Sequence, residues 1–346
     1  MSGGPVAAVI GGGIIGSTVA WRMAQRGWRI ALFEKGELGN EASWAGAGML
    51  SPGGEVEERS PFADLCRHSR SLYGAYVEEL VCKSGITIDY RECGAIDLAY
   101  TPVEWTLLQA RAAVQQTIGI RSREISPARL QTFSPYVRTE GLAGALFYPD
   151  DAIVDPREIM QALRIVCVKQ GVEISEHTPV EHIDVRSGQA EINGRPYDAA
   201  IVAAGAWSDR IEVSGVPSLP ASEPLKGHLI GFDLQLGACP TILRHGHTYL
   251  LQRGTGRLIA GSSVEHAGFD RQISPSIAGQ LKRKATAVLP VLEKLETADV
   301  WTGLRPGAQQ LHLGRWHGSP LFLAYGHFRN GILLAPASAE RIVAEM

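Results

Sequence analysis

The residues with the plainest chemical purpose stand near the start of the chain: Gly11, Gly13 and Gly16, with an acid at Glu34. Gly11 allows a tight turn, Gly13 lets backbone approach a pyrophosphate, and Gly16 lets a helix pack closely on a strand. A helix opening here, through Ile14 and Ile15, presents unpaired N–H groups and a partial positive charge to phosphate. Glu34 falls about 20 residues past the glycines, where a carboxylate takes ribose hydroxyls and disfavours a 2′-phosphate. This is the chemistry of dinucleotide binding, with NADP not expected.

A strand must run into those glycines and a helix must leave them. Val6 to Ile10 is an apolar run of the kind found in buried strands. Ser17 to Arg26 carries Val19, Ala20, Met23 and Ala24 at helical spacing. A second apolar strand, Ile30 to Phe33, delivers Glu34. Strand, glycines, helix, strand and acid in one unit set this apart from a glycine-rich turn in some other α/β protein. Gly39 to Glu55 is small, apolar and rich in glycine. It suits either a tightly packed buried turn or backbone lying against a flat ring such as a flavin. Asp198 to Ser208 repeats the opening logic, a buried strand running into a turn at Gly205, and is a second candidate nucleotide contact.

Helices are expected over Pro61 to Ser84, Pro102 to Ile118 with Thr101 as N-cap, Asp155 to Gln170, Pro275 to Leu289 and Ala335 to Glu345, with a helical turn over Ser126 to Phe133. Strands are expected at Ile86 to Tyr90, Ala95 to Tyr100, Gly144 to Tyr148, Val172 to Ser175, Glu223 to Phe232, Thr248 to Gln252 and Arg257 to Gly261. A hydrophobic content of 45% over 346 residues can bury a sizeable core. Net charge is −3 with no basic block, which argues against nucleic acid and against a polybasic membrane anchor. No apolar run is long enough to span a membrane and the N-terminus lacks a signal-peptide pattern. Five cysteines without a C-x-x-C pair read as reduced thiols of a cytoplasmic chain, and no metal-ligand spacing stands out.

The glycine fingerprint, Glu34, the run Ser43-Trp-Ala-Gly-Ala-Gly-Met49, Gly303-Leu-Arg-Pro306 and the closing Gly326-His-Phe-Arg-Asn-Gly-Ile-Leu-Leu-Ala-Pro336 together resemble the FAD-dependent amine and amino-acid oxidases of the D-amino-acid oxidase type, and among them the glycine oxidases of thiamine biosynthesis. The likeness spans the full length, and the closing run is its most specific part. It implies a mixed α/β fold: a Rossmann-like FAD-binding domain over 1–85, 139–222 and 300–346, and a mostly antiparallel substrate domain over 86–138 and 223–299. It implies FAD held noncovalently by Gly11, Gly13, Ile14, Ile15, Gly16, Glu34, Lys35, Ala42, Ser43, Ala47, Gly48, Met49, Val180 and His327 to Ile332 (His327, Phe328, Arg329, Asn330, Gly331, Ile332). No cysteine follows Cys239, which speaks against the relatives that bond flavin through a late cysteine.

The resemblance implies catalytic roles for Arg305, Tyr249 and Arg329. A guanidinium fork at Arg305 can take both oxygens of a substrate carboxylate. On its residues alone it could equally be a structural ion pair. Tyr249 resembles a phenol near the same carboxylate, and Arg329 a source of positive charge beside substrate and flavin. His247 and His327 read as structural histidines. Val264 stands where relatives can carry a thioether, which points to a reshaped pocket, and the stretch after Pro306 lacks an Asp-Gly-x-Pro pattern, which reads as an altered turn that leaves the identity of the substrate open. The implied activity is oxidation of glycine or a similar small amino acid to the imine, with oxygen as acceptor, giving glyoxylate, ammonia and hydrogen peroxide. A thiazole-synthesis enzyme is the implied partner and a homo-oligomer the implied assembly. Two alternatives stay open at this point: a sarcosine, proline or D-amino-acid oxidase or dehydrogenase with another acceptor, and a non-catalytic flavin-binding subunit. An NAD-dependent dehydrogenase would leave Gly48 and Gly326 to Ile332 without a task.

Overall fold

The structure is a computed structural model and describes residues 4–346. The Val6–Ile10 strand lies inside a six-stranded sheet, flanked in parallel by Arg29–Phe33 and Ala199–Val202. Glu173–Ser175 and Leu321–Tyr325 extend it in parallel, and His312–Arg315 closes one edge as a hairpin. Its central strands are apolar at nearly every position because a parallel sheet is covered on both faces. The fingerprint helix runs from Ile14 to Gln25 and so begins three residues before the periodic pattern. Ile14 and Ile15 are buried where the strand hands over to the helix, and this blurs the pattern there.

The last helix also starts early. It runs from Gly331 to Ala344, although the sequence pattern points to Ala335. Pro336 lies inside it and has no N–H for the Ile332 carbonyl, a defect that ordinarily breaks a helix. The Pro61–Ser84 helix packs alongside and repairs the gap. The Tyr73 hydroxyl donates to the Ile332 carbonyl at 3.0 Å. The Ser69 hydroxyl donates to the Leu333 carbonyl at 2.7 Å and accepts from the Ala337 N–H at 3.3 Å. With its backbone groups satisfied, the helix can begin at Gly331, four residues nearer the site.

An eight-stranded sheet forms the other large layer. Its order is Asp299–Gly307, Glu223–Asp233, Arg257–Gly261, Thr248–Gln252, Ile242–His245, Ala95–Ala99, Gly144–Tyr148 and Arg123–Glu124. Neighbours pair antiparallel except Ile242–His245 with Ala95–Ala99. Gly144–Tyr148 and Asp299–Gly307 therefore pair into this sheet and not into the sheet of Val6–Ile10, although the sequence places 139–222 and 300–346 in the FAD-binding domain. Nine residues of Asp299–Gly307 pair in register with Glu223–Asp233, and no break in composition marks where the chain changes sheets. The strand expected over Ile86 to Tyr90 is reduced to Tyr90–Arg91 in a three-stranded sheet, and the strand Ile242–His245 carries no pattern that singled it out. A four-stranded sheet over residues 182–214 completes the architecture. Among the described residues no helix is long and apolar enough to cross a membrane.

Tyr73→Phe should lower stability by about 1–3 kcal/mol, because the buried Ile332 carbonyl loses the hydroxyl that stands in for the missing N–H. Adding Pro336→Ala restores an N–H and should recover part of that loss. Urea unfolding of the three proteins checks this, and a double variant no more stable than Tyr73→Phe would contradict it.

Candidate active site

A cavity of about 940 Å³ opens at the C-terminal ends of the parallel strands and reaches to the eight-stranded sheet. Gly11 holds φ at +106°, where other side chains are strained, and a Cβ on it would overlap the Ala203 carbonyl. A Cβ on Gly16 would strike the Gly11 carbonyl, so Gly16 serves the packing of helix on turn and does not itself line the cavity. Gly13 precedes the helix in extended geometry, and the first helical N–H, on Ile14, donates to the Ser43 hydroxyl at 2.9 Å. Glu34 is buried with both oxygens aimed by backbone. Gly12 N–H donates to one at 2.8 Å and Gly36 N–H to the other at 2.9 Å.

Ala42, Ser43, Ala47, Gly48 and Met49 form one wall, with Val180 and the Gly205 turn at the far end. Lys35 also reaches the wall, but its ammonium is committed to Glu41 at 2.7 Å and sits 3.9 Å over the Trp207 ring. At the opposite end the N-terminus of the Gly331–Ala344 helix meets the cavity through Asn330, Gly331 and Ile332. Two helix N-termini, a buried carboxylate and a small-residue wall suit a long anionic dinucleotide that carries a flat ring.

Arg305 and Tyr249 both line the end of the cavity bounded by the eight-stranded sheet. Burial pushes the Arg305 pKa down, the Tyr249 phenol opposes that, and Arg329 adds to it. Among the described residues no carboxylate forms an ion pair with Arg305, and its Nη1 donates to the Ser263 carbonyl at 3.1 Å. Burial pushes the Tyr249 phenol up, against the pull of the Arg305 charge, so it stays a protonated donor.

Arg329 differs. Its Nε donates to Glu55 at 3.2 Å, and the Asn330 side-chain amide donates to the same oxygen at 3.3 Å. The Arg329 charge is thus already paired at the cavity rim. Glu55, which ends the glycine-rich loop, carried no periodic or motif signal of its own. Phe328 adopts φ +50° and its N–H donates to the Pro306 carbonyl at 3.0 Å, tying the closing loop to the Arg305 strand. His247 is exposed at the rim, whereas Val264 is half exposed and outside the cavity wall.

His327 is buried against Ser338, its Nε2 2.9 Å from the hydroxyl, and burial pulls its pKa down to about 3. The ring is neutral at physiological pH and packs as part of the wall.

The family model described as FAD dependent oxidoreductase, DAO, matches residues 7–346. The chain belongs to the DAO family of FAD-dependent oxidoreductases. Within the DAO family it is 33% identical to the glycine oxidase of Bacillus subtilis (strain 168), over 97% of this chain and 91% of that one. The crystal structure of glycine oxidase from Geobacillus kaustophilus superposes with a TM-score of 0.91 at 30% identity, covering 99% of this chain and 95% of that chain. The chain is also 30% identical to the bifunctional protein ThiO/ThiG of Synechocystis sp. (strain ATCC 27184 / PCC 6803 / Kazusa), where it matches 96% of its own length but 50% of the longer protein.

His327 supplies a stability test. Its folded pKa lies below the ordinary 6.5, so the unfolded chain binds the proton first as pH falls. The stabilisation is complete above pH 6.5 and is lost progressively below it, by about 2 kcal/mol at pH 5. His327→Gln cannot take that proton. Between pH 7 and pH 5 the wild type should lose about 2 kcal/mol relative to the variant in urea unfolding, and parallel profiles would refute the assignment.

Proposed function

We propose that this protein is an FAD-dependent oxidase of glycine or a similarly small amino acid, converting the amine to an imine. The observation that carries the proposal is the pairing of a desolvated, carboxylate-free Arg305 with the Tyr249 hydroxyl at one end of a cavity whose other end is a dinucleotide cradle. Glycine oxidases among its relatives support the choice of substrate. The cofactor would be held by Gly11 and Gly13, the Ile14–Gln25 helix N-terminus, Glu34 on a ribose, Val180 near the adenine, the Ala42 to Met49 wall, and the backbone of Arg329 to Ile332. FAD, when bound, accepts the two electrons that leave with the Cα hydrogen and passes them to oxygen, giving hydrogen peroxide.

The chain's own residues bind and orient. Arg305 offers two parallel N–H groups to the substrate carboxylate, and Tyr249 donates its O–H to the same group. A guanidinium partly withdrawn from water gains from an arriving anion more than a fully exposed one would. Holding the carboxylate there fixes the direction of the Cα–H bond, which is the entropy contribution of positioning. The amine must be neutral for its lone pair to form the C=N bond, and withdrawal from water in the cavity favours that neutral form. Water then hydrolyses the free imine to glyoxylate and ammonia.

The ThiO/ThiG protein supports a further reading, that the imine is passed to a separate thiazole-synthesis enzyme in thiamine biosynthesis. The five free cysteines suit a reducing, cytoplasmic setting, and burial raises the pKa of four of them, Cys66, Cys93, Cys167 and Cys239.

Arg305→Ala should raise the KM for glycine about 100-fold or more, with a smaller fall in kcat, because the lost contacts serve binding and orientation together. Peroxide release at varied glycine measures both. Wild-type kcat/KM in the variant would remove Arg305 from the clamp.

A further inference from the structure

We infer that Glu265, His228 and Ser263 are positioning residues for the Arg305 clamp, so that a chain of hydrogen bonds on the far side of the sheet sets where the substrate carboxylate binds. The inference rests on the clamp reading of Arg305 given above. Arg305 stands on the Asp299–Gly307 strand, paired with Leu225 of the Glu223–Asp233 strand. Its guanidinium folds across that neighbouring strand onto Gly227, where an added Cβ would overlap both terminal nitrogens. Any side chain at 227 would displace the fork. The strand thus supports one face of the guanidinium, and the Ser263 carbonyl takes Nη1 at 3.1 Å. The direction of the remaining donors depends on where Ser263 sits.

Ser263 belongs to the connection between the Arg257–Gly261 strand and the Pro275–Val288 helix, a segment without regular structure of its own. Three bonds link Ser263, Glu265 and His228 in a ring. The His228 backbone N–H donates to the Ser263 hydroxyl at 2.8 Å. That hydroxyl donates to Glu265 Oε1 at 2.5 Å. The same carboxylate oxygen lies 2.8 Å from His228 Nδ1. His228 is fully buried, and the Ser274 backbone N–H donates to its Nε2 at 2.9 Å. A backbone N–H can only donate, so Nε2 must accept and the ring proton resides on Nδ1, aimed at Glu265. Every polar atom of the ring is therefore used, and one tautomer is imposed.

The Glu265 backbone exchanges two hydrogen bonds with Lys226, at 2.9 and 3.0 Å, and the buried Lys226 ammonium meets Asp270 at 2.8 Å further along the segment. The segment is pinned at Ser263, Glu265, Asp270 and Ser274 to residues 226 and 228. These flank the Gly227 on which Arg305 lies. A shift of the segment would move the Ser263 carbonyl and with it the guanidinium. Neither Glu265 nor His228 lines the cavity, so neither touches substrate.

The test uses the FAD-loaded protein, the variants Glu265→Gln and Ser263→Ala, and glycolate, which keeps the carboxylate and replaces the amine by a hydroxyl. Glycolate affinity is read from the perturbation of the flavin absorption band, and glycine kinetics from peroxide release. Each variant should weaken glycolate binding and raise the glycine KM about five- to twentyfold, the size expected for one misdirected charged hydrogen bond. The kcat should stay within about twofold, and FAD affinity and the unfolding midpoint should stay near wild type. The deciding arm combines each variant with Arg305→Ala. Acting through Arg305, Glu265→Gln and Ser263→Ala should add no further loss to that background. Losses that add in full, or variants that bind glycolate as wild type does while Arg305→Ala does not, would overturn the positioning role and leave the clamp standing. Unchanged glycolate binding in Arg305→Ala itself would remove the clamp and this inference with it.

Discussion

A half-buried guanidinium without a carboxylate partner is an unfavourable arrangement, and much of this molecule is arranged so that Arg305 can persist in it. The cation is held by strand pairing on one side and by a single carbonyl bond on the other, with the remaining N–H groups turned to the cavity. An exposed arginine would have its charge screened by water and would gain little from a ligand. One already paired, as the exposed Arg329 is with Glu55, would have to break a bond to take a ligand. The difference between the two arginines lies in the partners each finds in three dimensions, not in their residue type.

The rest of the cavity meets a different electrostatic problem in part with backbone dipoles. Pyrophosphate and a reduced flavin's pyrimidine edge are both anionic, and the two helix N-termini at the cavity would meet such charge with backbone N–H groups. Backbone dipoles are fixed before the ligand arrives and need no rearrangement. The same economy explains why the C-terminal helix tolerates Pro336. Two hydroxyls from a neighbouring helix satisfy the carbonyls that the proline strands, and the helix start reaches Gly331 at the cavity.

What could be read in the sequence follows the range of the interactions. The fingerprint, the following helix and Glu34 form a local unit, and their spacing already contains the geometry. Helices with sharp starts were legible as well: Thr101 and Glu104 form a reciprocal cap, and Asp155 caps the helix opened by Pro156. The sheet membership of Asp299–Gly307 was not, because its partner strand lies about eighty residues upstream and the residues next to it in sequence serve the other sheet. Nor was the pairing of Arg329 with Glu55, separated by 274 residues, or the repair of Pro336 from Ser69 and Tyr73. Arg305 and Tyr249 were singled out by resemblance, and no spacing rule brings them to one wall.

The central claim is that a small amino acid held at this wall gives up two electrons to the bound flavin. The FAD-loaded protein mixed with glycine in the absence of oxygen, and then exposed to air, tests it most directly through the visible absorption of the flavin. The account predicts that glycine bleaches the band and that air restores it rapidly. A band that glycine leaves unmoved, in protein shown to be fully loaded with FAD, would contradict it.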